Sequence, residues 1–248
     1  MLEWTRIRKN TLIIGFVLFS VEVVGIPQRL EPAGWASVPS QSQGISWSQI
    51  FNWLRHRKVK GGSRDPSFCA ITPVSLLNRV SQPEPSPVAT VWNLQPLLAW
   101  KGSAEHIEVR QKDNDHLVWK ATLTAKDQHI NYQGKALQPG QTYVWRLRSR
   151  VNSKFPVIHS ASTFQVMTDT ERQQVKMDLI RLKSRYNPRN TSTEKLALLR
   201  ANYFAQHQLW SDTLREALRV KQPSPQLAQL LLAFFTETCK TNNEMRSG

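Results

Sequence analysis

The chain has 248 residues, 40% of them apolar and nine of them tryptophan, and it carries a formal net charge of +15. That length gives room for two modest domains, and the apolar share excludes wholesale disorder, because it offers enough surface to bury against the entropy of ordering. The charge excludes no fold, but it favours anionic partners of any kind: lipid headgroups, acidic polysaccharide or nucleic acid. Residues 40–66 hold five Lys/Arg against one acid and are the most densely basic stretch. Elsewhere the charge is diffuse, unlike a dedicated nucleic-acid groove.

At the front, Arg6, Arg8 and Lys9 precede an uncharged run from Asn10 to Val21. A basic segment before a short apolar one has the build of a secretory signal. Glu22 cuts the run short of the ~20 apolar residues that a bilayer span needs. Residues 1–26 are therefore expected to be a signal peptide or an uncleaved N-terminal membrane anchor. Either puts the protein in the periplasm or on the cytoplasmic membrane; a buried N-terminal strand is the alternative.

Residues 27–66 are expected to form a linker containing one short basic amphipathic helix. Trp47, Ile50, Phe51 and Leu54 fall on a single helical face. Arg55, Arg57, Lys58 and Lys60 follow at the C-terminal end, where positive charge suits the helix dipole, and Gly61-Gly62 stop it. Two readings stay open. The helix adheres to an anionic membrane surface, or it packs on its own domain and leaves the basic residues in water.

From 67 to 168 short strands alternate with turn residues at the spacing of an all-β sandwich. The stretch 88–102 supplies one or two strands, HIEVRQ another, and LVWKATL puts Leu117, Trp119, Ala121 and Leu123 on one face. HINYQG leads to the strand TYVWRLRSR, in which Tyr143, Trp145 and Leu147 share one face. Arg146, Arg148 and Arg150 share the other, either as a solvated strand face or as a contact for an anionic partner. ASTFQVMT closes the domain.

One corner carries a resemblance. Leu137-Gln138-Pro139-Gly140-Gln141-Thr142-Tyr143 resembles the L-x-P-G-T-x-Y corner of fibronectin type III and related immunoglobulin-like domains, with glutamine where threonine is usual. The resemblance implies that Tyr143 is the corner tyrosine, whose hydroxyl bonds back to nearby backbone. PLLAWKG is similar to the second strand of such domains, which implies that Trp100 is a core residue. Tyr143 and Trp145 are likewise read as architecture.

Residues 169–248 are expected to form a helical tail. Thr168 with Glu171, and Thr191 with Glu194, stand in capping-box register. Ser211 and Ser224-Pro225 mark two further helix starts. Val175, Leu179, Leu182 and Tyr186 line the first helix. In the middle pair Phe204, Trp210, Ala217, Val220 and Pro225 resemble one degenerate tetratricopeptide unit, with Thr213 where alanine is usual. A lone unit needs neighbours to bury its faces, so it should pack on the flanking helices or on the sandwich. The last helix is apolar on most of its circumference, which suits the core or a partner contact. The order of presumed signal, sandwich and helices resembles that of exported proteins of cyanobacteria over most of the chain after residue 60, which implies location and architecture and no known active site.

Chemistry-bearing motifs are missing. The six histidines (56, 106, 116, 129, 159 and 207) show no metal-ligand spacing, and there is no nucleophile elbow, P-loop or dinucleotide glycine pattern. Glu105, His106 and Glu108 form a trio that chance readily supplies. Cys69 and Cys239 are the only cysteines. In an oxidising compartment they can pair, closing about 170 residues for up to ~5 kcal/mol in the loop-entropy model; two buried thiols are the alternative. The sequence thus leads to a β + α multidomain chain, an immunoglobulin-like antiparallel β-sandwich followed by a small helical domain. Its expected role is that of a non-enzymatic, exported or membrane-anchored adaptor of the cell envelope, with a protein partner, no cofactor and no metal. An anionic membrane or polysaccharide is a further candidate contact, and a basic nucleic-acid-binding protein is the competing reading.

Overall fold

The computed structural model describes residues 45–56, 68–74, 88–149, 157–185 and 191–237, all of which fall within one compact unit, Gln43–Gly248. The expected signal or anchor at 1–26 lies outside the described residues, as do Arg57, Lys58, Lys60, Arg150, Tyr186 and Cys239. In chain order the elements are α1 (Trp47–His56), β1 (Cys69–Thr72), β2 (Ala89–Val91), β3 (Leu97–Lys101), β4 (His106–Gln111), β5 (Leu117–Thr122), β6 (His129–Asn131), β7 (Thr142–Ser149), β8 (Val157–Val166), α2 (Asp169–Ser184), α3 (Thr193–Gln206), α4 (Trp210–Leu218) and α5 (Pro225–Glu237).

Strand β3 explains the layering. A strand with one wet face alternates apolar and polar residues, whereas LLAWK is apolar at four successive positions and buried at all four. It therefore needs a layer on each side. β3 is the middle of a three-stranded sheet, β1-β3-β6, which faces a five-stranded sheet, β2-β8-β7-β4-β5. Leu98 and Trp100 point into the core between the sheets, with Ile107, Val109, Trp145, Leu147, Phe164 and Val166. Leu97 and Ala99, with Ile71, point the other way, into a second core built by α1, α3, α4 and α5. The described residues thus stack as sheet, sheet, helices.

The fold is an immunoglobulin-like sandwich followed by helices. One strand pair departs from a purely antiparallel arrangement: β2 runs parallel to β8, with Ala89 opposite Phe164 and Val91 opposite Val166. On β5, Trp119 and Ala121 pack on the inter-sheet core and Leu123 just beyond the strand is part of it, but Leu117 is exposed. Leu117 lies on the edge strand, where the pairing register slips at Arg110.

The corner at 137–143 is closed by a hydrogen bond from the Gln138 N–H to the Tyr143 hydroxyl oxygen at 3.0 Å. Gly140 sits at φ +74°, a left-handed conformation that a side chain would strain. Tyr143 is buried and stacks on Phe164. The Trp100 indole is fully buried and donates to the Gly102 carbonyl at 3.1 Å. Trp145 reaches across the sandwich, its Nε1 donating to the Pro73 carbonyl just past β1 at 2.9 Å.

Helix α2 begins with the full capping box: Thr168 Oγ1 accepts from the Glu171 N–H while Glu171 reaches back to the Thr168 N–H. Two helix starts differ from expectation. The cap of α3 is Ser192, not Thr191, and accepts from the Lys195 N–H. Glu194 is thereby released to hold α1 and α5: it accepts from Trp47 Nε1 at 3.1 Å, from the Ser224 N–H at 2.7 Å and from the Ser224 hydroxyl at 2.8 Å. Helix α4 begins at Trp210, so Ser211 lies inside it and caps nothing. In α5 Leu227 and Phe234 are buried, while Leu232 is exposed.

Candidate functional site

The helices meet the sandwich across the outer face of β3 and, with polar contacts, at the loop Trp92–Pro96 between β2 and β3. Helix α4 presents polar residues to it, and nearly every backbone group of the loop finds a partner. Asp212 Oδ2 accepts from the Trp92 N–H at 2.8 Å and Oδ1 from the Asn93 N–H at 3.1 Å. Ser211 Oγ donates to the Leu97 carbonyl at 2.8 Å, and Arg215 Nη1 donates to the Gln95 carbonyl at 2.8 Å. From α2, Arg172 Nε donates to the Trp92 carbonyl at 3.0 Å, and the Trp92 indole returns a bond to the Arg172 carbonyl at 3.2 Å.

Asp212 is wholly buried, and this loss of hydration pushes its carboxyl up to about 6 against the pull of the two N–H bonds and of Arg215. Its place in the first turn of α4 also sets it at the positive end of the helix dipole.

Beside this seam lies a cleft of about 420 Å³. Trp92 and Phe204, whose ring centres are 5.6 Å apart, line it with apolar surface. Asn93 and Asn131 contribute amides, and three arginines, Arg200, Arg215 and Arg219, contribute charge. Glu216 is buried between two of them: Arg200 donates through Nε at 2.9 Å and lies 2.8 Å away through Nη2, and Arg219 Nη1 donates to both oxygens at 3.2 and 3.0 Å. His129 also faces the cleft; burial lowers its pKa, and its ring stacks on Phe235.

Of the basic residues singled out in the sequence, the three that are described, Arg55, Arg146 and Arg148, are placed elsewhere. Arg146 and Arg148 stand on the outward face of the five-stranded sheet, opposite Glu108 and His106 in register. They are part of an ion-pair ladder. Arg146 Nη2 meets Asp115 at 2.7 Å, Arg110 Nε meets Glu108 at 3.1 Å, and Arg148 Nε lies 3.2 Å from Glu108 as an ion pair without hydrogen-bond alignment. The Arg146 hydrogen bond holds the Asp115 carboxyl below its usual range. Arg55 is on the far helical layer, 3.4 Å from Glu237 on α5. The apolar face of α1 (Trp47, Ile50, Phe51 and Leu54) is buried against α3 and α5, so this helix packs on its own domain.

Sequence reasoning missed Asp212, Arg215, Glu216 and Arg219. Their signal was present: at i, i+3, i+4 and i+7 they form a charged stripe on α4 opposite the apolar one. Read alone, such a stripe means a solvated face. Here two of its members, Asp212 and Glu216, are among the buried charges of the described residues.

Cys69 is disulfide-bonded, and Cys239 is the only other cysteine of the chain. Among the described residues no group of His, Cys, Asp and Glu is placed to hold a metal ion, and no helix is long and apolar enough to cross a membrane.

Residues 81–168, the span containing β2 to β8, match the family model of the Rha78A-like N-terminal immunoglobulin domain. The match agrees with the sandwich and stops where α2 begins. No curated protein matches this chain.

Proposed function

We propose that this chain is a non-enzymatic protein-binding module of the cell envelope, exported or anchored by its N-terminus. The observation that carries the reading is the seam: sandwich and helices are joined into one body, with a preformed cleft of ligand size where they meet. The acids of that cleft are committed to structural bonds, Asp212 to two backbone N–H groups and Glu216 to two arginines. Such an arrangement favours holding a ligand over moving its protons. Immunoglobulin-like sandwiches are recurrent interaction modules, although the fold by itself names no partner.

The export reading is supported by the basic-then-apolar front end and by the disulfide at Cys69, since disulfides persist in oxidising compartments. The α3–α4 hairpin supports a single tetratricopeptide-like unit, completed by α1 and α5 in place of repeats. Against the nucleic-acid reading stands the pairing of Arg55, Arg110, Arg146, Arg148, Arg200 and Arg219 with carboxylates.

Crosslinking in intact cells, followed by fractionation and pull-down of the full chain, tests the proposal. It is expected to recover the protein in the envelope fraction bound to a protein partner. Recovery in the cytosol with ribosomes or DNA overturns both location and function.

A further inference from the structure

We infer that the seam cleft binds the carboxylate of an organic ligand, with Arg219 and Arg215 as its ion-pairing groups and Trp92 and Phe204 as its apolar wall. The inference rests on the binding-module reading and names the ligand class of the same site.

The charge balance of the cleft argues for a single negative charge. Three guanidinium groups face two carboxylates, and both carboxylates are already engaged. Asp212 accepts from the backbone of Trp92 and Asn93, and Glu216 from Arg200 and Arg219. One positive charge is left over. So are N–H groups to express it: Arg215 and Arg219 each use only Nη1, for Gln95 and Glu216, which leaves Nη2 of both without a bond among the described residues. Arg219 is the more accessible, its side chain 58% exposed while its ion pair fixes the fork in place. A guanidinium held by one face and open on another is pre-organised for a planar, bidentate anion.

Size and lining select an organic acid over a bare ion. About 420 Å³ is the scale of small-molecule pockets and far exceeds an inorganic anion. Two aromatic rings give the remainder of a ligand an apolar wall, and the amides of Asn93 and Asn131 give it hydrogen bonds. Two sources share this chemistry: the C-terminal carboxylate of a protein partner, and a free small organic acid.

The test uses the full oxidised chain. A library of randomised fluorescent tetrapeptides with free C-termini is compared by anisotropy with the same library C-terminally amidated. Benzoate, benzamide and inorganic phosphate serve as competitors, and Arg219→Gln as the variant, with its melting temperature as the control for folding. The free acids are expected to bind, amidation and R219Q each to weaken binding about tenfold or more, and benzoate to compete where benzamide does not. Preference for peptide over benzoate identifies a C-terminus as the source; the reverse identifies a small acid. Equal binding of acid and amide, tighter competition by phosphate, indifference to R219Q with unchanged melting, or no binding of either probe overturns the inference. Crosslinked capture of a partner that survives R219Q leaves the binding-module reading standing while the cleft assignment falls.

Discussion

Asp212 shows what one buried charge does for this fold. An aspartate in the unfolded chain titrates near 3.8, and burial holds this one at about 6. Between those values the native protein keeps a proton that the unfolded chain has released. The contribution of Asp212 to stability is therefore fullest below pH 4 and is lost as pH rises through about 6, a difference on the order of 3 kcal/mol. Asp212→Asn cannot titrate. The unfolding free energy of the wild type relative to D212N should accordingly fall between pH 4 and pH 7 in urea titrations. A gap that stays flat with pH contradicts the burial assigned to this carboxyl. Against that cost, its two oxygens satisfy two adjacent, partly buried N–H groups of the Trp92–Pro96 loop.

At the scale of elements, α1 is the test of how the chain is organised. Its apolar stripe was legible, because the i, i+3, i+4, i+7 spacing needs nothing beyond the sequence. Its partner was not, because amphipathicity says that a face is buried without saying against what. Phe51 packs against Phe234 of α5, ring centres 5.4 Å apart. Phe51→Ala should therefore cost about 3–5 kcal/mol, as for a core aromatic, whereas Trp53→Ala, on the exposed side of the same helix, should stay within about 0.5 kcal/mol. Thermal unfolding of the two variants decides it; a silent Phe51→Ala contradicts the docking of α1.

Other elements divide along the same line between local and distant causes. The Thr168–Glu171 box is a four-residue signal and could be read directly. The Thr191–Glu194 spacing is identical, yet Ser192 is the cap and Glu194 bonds instead to Trp47 and Ser224, distant in sequence. The parallel β2–β8 pair sets an edge strand against a closing strand, Ala89 opposite Phe164, and no local pattern announces it.

For the whole molecule, the sandwich could be recognised and its union with the helices could not. Pro139-Gly140 and Tyr143 are a compact sequence signal of the corner, and the family match confines itself to the same part of the chain. The seam depends on side chains of 172, 211, 212 and 215 reaching backbone at 92–97, a correspondence visible only in three dimensions. Its traces in the sequence are the apolar run of β3, whose second buried face requires a further layer, and the charged stripe of α4, which names no partner.

Strands and helices form one cooperative body around this seam. Urea unfolding of the oxidised full chain, followed at once by tryptophan fluorescence, helical ellipticity and hydrogen exchange in β7 and α4, tests it most directly. One transition common to all probes is expected, with a joint shift of all of them to lower urea in Asp212→Ala. Loss of the helical signal at low urea while β7 stays protected would contradict it.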